Sequence, residues 1–181
     1  MQLNFADLDQ NKRYHLLTQT VVPRPIAWVL TQNSEGEGAE AYNLAPFSFF
    51  NALSADPPLL VLGFTIKTDG TNKDTWENLL NQKVCTIHLA DPSQLESLVA
   101  TSAELPYGQS EVKANTIALT AFEPHNLPRL ADAPVAFGCK LHSHHTFGEE
   151  HTSGVVFCEI MHIYIKDEVC EITDQRRIIV D

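Results

Sequence analysis

Short apolar runs rich in β-branched and aromatic residues recur along the chain, and they limit the folds it can adopt. They cover residues 26–31, 59–64, 84–89, 135–142 and 155–165. Runs of this length, bounded by turn residues, are typical of strands. Helical patterns between them are few and short, so the alternation of strand and helix that a doubly wound sheet requires is missing. We therefore predict a mainly β protein, an antiparallel barrel with a few short helices.

The length and charge of the chain restrict its partners. Its 181 residues suit a single domain spanning residues 1–181. A net charge of −11 argues against nucleic acid and anionic membranes, which bind clustered Lys and Arg. The first residues lack the apolar stretch of a signal peptide, and the four cysteines form no C-x-x-C pair. We expect a cytoplasmic protein that binds neither nucleic acid nor membrane.

The segment NLAPFSFFN (residues 43–51) combines hydrogen-bonding side chains with three phenylalanines and a proline. A plain core strand has little use for these polar groups, because buried polar groups need partners. A flat heteroaromatic ligand would supply partners, and the aromatic rings would exclude water from it. The alternative is a hairpin edge with turn asparagines. Trp28, in the preceding strand, is either a wall of the same pocket or an ordinary core residue.

The segment Lys73-Asp74-Thr75 lies where a helix is expected to begin. Asp74 followed by Glu77 matches a capping box. A helix N-terminus attracts phosphate through its free N–H groups and its dipole, and Lys73 adds a positive charge. Lys67, Thr68 and Arg24 are further groups that can offset the acidic background. The alternative is an ordinary capped helix with a surface lysine.

Two other patterns have weaker functional interpretations. The sequence GEGAEA (residues 36–41) matches the dinucleotide motif G-x-G-x-x-A, but its glutamates would repel phosphate and a strand is expected next. Four histidines at positions 142–151, with Glu149 and Glu150, suggest either a metal site or a solvated loop. The chain has no nucleophile motif such as G-x-S-x-G, which favours a cofactor that carries the chemistry.

Four segments together resemble the flavin reductase-like family, which has the FMN-binding split-barrel fold. They are PRPIAWV (residues 23–29), NLAPFSFFN (43–51), SADPP (54–58) and KDTWENL (73–79), with weaker similarity at Ser110-Glu111 and in DAPVAFGC (132–139). The segments occur in the family's order, and the resemblance covers about residues 20–165.

The resemblance implies a fold, a cofactor and a set of binding residues. The fold is a six-stranded antiparallel Greek-key split β-barrel that pairs as a homodimer, with FMN near the dimer interface. By the family pattern, Asn43, Ala45, Pro46 and Ser48 line the flavin ring, and Lys73 and Thr75 hold the phosphate. The candidate FMN-binding residues are Arg24, Trp28, Asn43, Leu44, Ala45, Pro46, Ser48, Phe49, Ser54, Lys73, Asp74, Thr75 and Asn78. We assign no catalytic side chain and no metal ligand.

The implied activity is transfer of a hydride from NADH or NADPH to FMN, and then of electrons to a monooxygenase or a protein acceptor. The alternative within the family is an FMN-binding electron-transfer protein without NAD(P)H activity. Outside it stand a haem-binding or purely structural barrel and, more remotely, a metal-dependent hydrolase. Two departures from the family pattern, the histidine-rich loop and the end of the sequence at Asp181, are expected to affect the substrate side more than the flavin side.

Overall fold

The computed structural model describes residues 1–148, 152–173 and 178–180. Its strands, numbered in chain order, are β1 Ala27–Gln32, β2 Tyr42–Phe47, β3 Phe50–Ala55, β4 Pro58–Thr65, β5 Val84–Leu89, β6 Leu119–Thr120, β7 Arg129–Leu130, β8 Val135–Phe147, β9 Ser153–Ile165, β10 Cys170–Ile172 and β11 Ile178–Val180. Its α-helices are α1 Gln10–Thr20, α2 Asp74–Gln82, α3 Leu95–Ala100 and α4 Glu111–Ala114. Within these residues no helix is long and apolar enough to cross a membrane.

The main sheet is antiparallel and has the order β2-β1-β5-β8-β9-β4-β3. This confirms a mainly β fold with an antiparallel sheet, but the sheet has seven strands where the sequence predicted six. The two edge strands, β2 and β3, are not paired with each other in the part of the chain that the structure describes. The additional strand arises because Ser48 and Phe49 form a bend that divides the segment 43–51 between β2 and β3.

Strands β8 and β9 form a long hairpin of thirteen residues on each side. The sequence predicted strands at residues 135–142 and 155–165 with the histidines as a possible loop between them, but β8 continues to Phe147 and β9 begins at Ser153. His144 pairs with Val156 and His145 pairs with Val155, so both histidines belong to the sheet. Glu149, Glu150 and His151 of the predicted loop lie outside the described residues.

Two apolar clusters lie on opposite faces of β1. Ala27 and Val29 belong to one cluster, while Trp28 and Leu30 belong to the other. Successive side chains of a strand point to opposite faces, so β1 is buried on both sides. The first cluster includes Phe64, Trp76 and the buried thiols Cys85, Cys139 and Cys158. The second is completed by residues of α3, α4 and the segment after α4: Leu98, Val112, Leu127, Leu130 and Ala133.

Candidate functional site

The two segments singled out in the sequence meet through one buried hydrogen bond. Asn43 Nδ2 donates to Thr75 Oγ1 at 2.8 Å and to Thr31 Oγ1 at 3.3 Å. Asn43 lies on β2 and pairs with Thr31 on β1, while Thr75 lies in the first turn of α2. All three side chains are buried. The contact therefore fixes the start of α2 against the start of β2.

A cavity of about 210 Å³, here called the ring cavity, opens along the end of β2. Three of the predicted residues, Pro46, Ser48 and Phe49, line only this cavity, and Ala45 and Lys73 also line the neighbouring one. The complete lining is Tyr14, Ala45, Pro46, Phe47, Ser48, Phe49, Gly63, Thr65, Lys73 and Ser102. The backbone of β4 approaches Phe49 closely, since a Cβ at Gly63 would lie 3.0 Å from Phe49 Cβ. A larger residue at position 63 would displace that wall.

A second, smaller cavity, here called the phosphate pocket, adjoins the ring cavity. The two share Ala45, Phe47, Lys73 and Ser102. The rest of the phosphate pocket comes from β2, the segment after β4, the start of α2, the segment after α3 and the start of α4: Asn43, Lys67, Asp74, Thr75, Thr101, Ala103, Glu104, Leu105 and Glu111. The two cavities therefore form one continuous site, aromatic at one end and charged at the other.

The N-terminus of α2 carries no side-chain cap. Lys73 occupies the N-cap position, and none of the described residues caps the helix with its side chain. The expected capping box at Asp74 is wrong, because Asp74 is the first helical residue and its carboxylate pairs with Lys67 and accepts a bond from Gly108 N at 3.3 Å. The first N–H groups of a helix lack intrahelical partners, so α2 presents unused donors beside the phosphate pocket.

Lysines and carboxylates alternate around the phosphate pocket. Lys67 pairs with the buried Asp74, and Lys73 Nζ lies 3.3 Å from Glu104 Oε1. Glu111 is buried and accepts a bond from Leu44 N at 3.0 Å. Burial raises the pKa of Glu111, and this rise persists although the Leu44 N–H acts in the opposite direction. An anion that enters this pocket would approach two lysines, but it would compete with Asp74 for Lys67 and with Glu104 for Lys73.

Arg24 connects the ring cavity to α1. Its Nε donates to Ser48 Oγ at 3.3 Å, and its Nη1 donates to the Thr18 carbonyl at 2.8 Å and to the Val21 carbonyl. The guanidinium carbon lies 5.9 Å from the centre of the Phe49 ring. Arg24 is thus beside the ring cavity and not among the residues of the phosphate pocket, with which the sequence analysis had grouped it, and its hydrogen bonds are to the protein.

Besides Arg24, four predicted site residues are absent from the lining of both cavities. Trp28 is buried in the second cluster and donates to Thr101 Oγ1 at 2.9 Å. Leu44 packs in the same cluster. Asn78 is buried and donates to Thr31 Oγ1 and Asn33 Oδ1. Ser54 is exposed on β3, where its hydroxyl bonds to the Pro57 carbonyl. The polar groups of Trp28 and Asn78 are satisfied within the protein and need no ligand.

Several lining residues were not predicted from the sequence. Tyr14, Ser102 and Glu104 lie in segments without a motif, and only the fold brings them to the site. Glu111 belongs to the weak Ser110-Glu111 similarity, which was the available signal for it. No described residues form a group of three His, Cys, Asp or Glu side chains that could hold a metal ion.

A larger cavity of about 610 Å³ lies beside the β1–β2 hairpin, away from the predicted segments. Its lining includes the carboxylates of Glu35 and Glu40, and Lys113 pairs with Glu40. Among the described residues this lining contains no aromatic side chain, and the N-terminus of the adjacent helix α4 is already capped by Ser110. The ring cavity and the phosphate pocket are therefore the better candidate for a phosphorylated aromatic ligand, and together with the antiparallel sheet they fit the flavin-binding class of protein.

Comparison with known proteins supports that class. Residues 19–177 match the model of the flavin reductase like domain. The YwrF protein of Bacillus subtilis is 37% identical over 143 residues, which cover 79% of this chain and 67% of that protein. The chain belongs to the flavin reductase-like family.

Solved structures agree with this assignment. Nitrilotriacetate monooxygenase component B from Bacillus cereus superposes with a TM-score of 0.87 at 25% identity, covering 98% of this chain and 86% of that one. The 2-nitrobenzoate 2-nitroreductase NbaA of Pseudomonas fluorescens gives a TM-score of 0.83 at 30% identity, with coverages of 98% and 82%. A Shewanella frigidimarina protein with a split barrel domain shares the fold, with a TM-score of 0.78 at 20% identity, covering 100% of this chain and 86% of that one.

Proposed function

We propose that the chain binds FMN across the ring cavity and the phosphate pocket and acts as an NAD(P)H-dependent flavin reductase. The observation that carries this proposal is the uncapped N-terminus of α2, which opens beside an aromatic cavity and has Lys73 at its N-cap. Free N–H groups and the positive end of the helix dipole favour a bound phosphate. The adjacent cavity supplies room for the ring.

The phosphate contacts must overcome a net charge of −11. Lys67 and Lys73 both line the phosphate pocket, and Thr75 adds a hydroxyl. Hydrogen bonds to a charged group contribute about 1.5–3 kcal/mol each, roughly twice as much as bonds between neutral groups. Two or three such contacts are sufficient to hold one end of FMN despite the acidic background.

The ring contacts come from the end of β2. Ala45, Pro46 and Phe49 give the cavity an apolar lining, and Ser48 offers a hydroxyl. Such a wall excludes water and orients a planar ligand, while few polar groups determine its register. Bound FMN would accept a hydride from NADH or NADPH and deliver electrons to a further acceptor. The residues of the protein bind the flavin and orient it, and we assign no side chain as a general acid or base.

The related proteins suggest the final acceptor. One similar structure is a component of a monooxygenase and another is a nitroreductase. An oxygenase or another protein that accepts electrons from reduced flavin is therefore the proposed partner. The described cysteines are all free thiols, which accords with the cytoplasm as the proposed location.

Anaerobic titration of the FMN-loaded protein with NADH, and separately with NADPH, tests the activity. We expect one of the two nucleotides to bleach the flavin absorbance near stoichiometrically. Protein that binds FMN but is bleached by neither nucleotide would instead be an electron-transfer flavoprotein. Protein that takes up no FMN would refute the cofactor as well.

We also propose a homodimer. Large apolar side chains are exposed on β3, β8 and β9, namely Leu53, Phe147, Met161 and Ile163. Residues 51–55 of the edge strand β3 are exposed along their whole length. Exposed edges and apolar surface of this extent are usually covered by a partner.

A further inference from the structure

Helix α1 has no core to pack against. None of its eleven residues is buried, and its sequence QNKRYHLLTQT has no continuous apolar stripe. A short helix in water is only marginally stable unless one face is buried. Asp9 caps its N-terminus by accepting from Lys12 N at 2.9 Å. The cap helps α1 to form, but it does not explain why α1 lies where it does.

The C-terminal end of α1 is tied to the ring cavity through Arg24. The Arg24 guanidinium donates to the carbonyls of Thr18 and Val21 and, on its other side, to Ser48 Oγ. A cation at the carbonyl end of a helix also interacts favourably with the helix dipole. One side chain therefore holds both α1 and a wall of the cavity.

Tyr14, in the middle of α1, lines the same cavity. Its ring centroid is 6.1 Å from that of Phe49 at an interplanar angle of 61°, an edge-to-face arrangement. Both rings remain partly open to solvent, with 46% of Tyr14 and 36% of Phe49 exposed. A planar ligand in the cavity would cover both rings, and burial of aromatic surface is a large favourable term.

We propose that Tyr14 contacts the flavin ring and that α1 is the cover that retains the flavin in its cavity. This inference rests on the proposed function, since it assigns a further contact to that site. Tyr14 lies before residue 19, where the match to the family model begins. Tyr14 lines the ring cavity and does not line the phosphate pocket, so its contact contributes equally to the binding of FMN and of riboflavin.

Two variants, Tyr14→Ala and Tyr14→Phe, distinguish a direct contact between Tyr14 and the flavin from a purely structural role of Tyr14. Loss of the ring in Tyr14→Ala should accelerate FMN dissociation about 5- to 30-fold in stopped-flow experiments, the range expected for one aromatic stacking contact. Tyr14→Phe keeps the ring and should release FMN at nearly the wild-type rate. A phenol in contact with an excited flavin quenches its fluorescence, whereas a benzene ring does not. Bound FMN should therefore be more fluorescent in Tyr14→Phe than in wild type.

Tyr164→Phe is the matched control, because Tyr164 lies on β9, packs against Arg129 and lines neither the ring cavity nor the phosphate pocket. It should change neither the dissociation rate nor the fluorescence. Unchanged fluorescence in Tyr14→Phe, or a wild-type dissociation rate in Tyr14→Ala, would overturn the role of Tyr14. Failure of the wild-type protein to bind FMN would be a distinct result, which would remove the proposed function itself.

Discussion

At the scale of single residues, two threonines make similar contacts with one amide. Thr75 and Thr31 both accept hydrogen bonds from Asn43 Nδ2, and both are buried. Thr75 lines the phosphate pocket, whereas Thr31 lines neither cavity of the site. The pair therefore separates the structural cost of losing a hydroxyl from the cost of losing a ligand contact.

We expect Thr75→Val to weaken FMN binding about 10-fold, the effect of one lost hydrogen bond to a charged group. Thr31→Val should lower the free energy of unfolding by more than Thr75→Val, about 2 kcal/mol against about 1 kcal/mol, because Thr31 Oγ1 also accepts from Asn78 Nδ2. Thr31→Val should leave the FMN dissociation constant within about twofold of that of wild type. Calorimetric titration with FMN and urea unfolding measure the two effects. Equal losses of FMN affinity in both variants would show that Thr75 acts only through the fold.

Glu104 would compete for Lys73 with the phosphate of the proposed FMN ligand. The Nζ–Oε1 distance is 3.3 Å, and both side chains are partly exposed, 32% for Lys73 and 49% for Glu104. An exposed ion pair of this kind is worth little by itself, but a carboxylate beside a phosphate also repels it.

We therefore expect Glu104→Gln to bind FMN about 2- to 10-fold more tightly at low ionic strength, and the gain should shrink as salt screens the charges. Riboflavin affinity should not change, because riboflavin has no phosphate. Glu168→Gln removes an equally negative charge that pairs with Lys166, and it serves as the control. The explanation fails if Glu104→Gln alters FMN and riboflavin binding alike.

At the scale of elements, His88 joins β5 to two neighbouring segments. Its ring is fully buried, with Nδ1 2.9 Å from the Trp28 carbonyl and Nε2 accepting from Leu130 N at 3.0 Å. Nε2 is thus an acceptor, so the neutral ring donates through Nδ1. Burial lowers the pKa of His88 to about 4. A second proton on the ring would sit on Nε2, where its N–H and the Leu130 N–H would be two donors facing each other without an acceptor.

This predicts a pH-dependent stability. Below the ordinary pKa of 6.5, His88 is protonated in the unfolded chain, whereas in the folded chain it stays neutral until about pH 4. Stability should therefore be complete above about pH 6.5, fall by about 3 kcal/mol as the pH drops towards 4, and lose nothing more from this group below that. Urea unfolding of wild type and His88→Gln over this range measures the effect. A His88→Gln profile as steep as that of wild type would contradict it.

The start of α2 shows why local rules predicted one part of the site and not another. The segment Lys73-Asp74-Thr75 does lie at a helix N-terminus, because the helical pattern is local. The expected cap at Asp74 failed because Lys67, which comes before α2 in the chain, takes its carboxylate. Tyr14 and Glu104 reach the site only through the packing of distant segments, which no short pattern contains.

At the scale of the whole molecule, the sequence allowed the mainly β class and the antiparallel pairing to be predicted. It did not reveal β3 as a strand, because residues 51–55 are all exposed and show no alternation of apolar and polar side chains. Trp28 was predicted as a candidate wall of the pocket and Asn78 as a candidate contact near the start of α2, yet the side-chain N–H groups of both donate to protein groups. Such partners become visible only in the folded chain.

The exposed apolar side chains lead to a prediction about assembly. A charge introduced into a dimer interface should be strongly unfavourable, since it would be buried without a partner. We expect wild type to sediment as a dimer and the double variant Leu53→Glu/Met161→Glu to sediment as a monomer. The double variant Leu95→Glu/Val99→Glu, at similarly exposed positions on α3, should remain dimeric. A monomeric wild type would remove the proposed dimer.

The central claim is that one continuous site holds a flavin ring at the end of β2 and its phosphate at the N-terminus of α2. The ratio of riboflavin to FMN dissociation constants, measured by fluorescence titration of the apoprotein, tests it most directly. We expect FMN to bind about 10- to 100-fold more tightly than riboflavin, because only FMN carries a phosphate for Lys73, Thr75 and the free N–H groups of α2 to bind. Equal affinities for the two flavins, or binding of neither, would contradict the account.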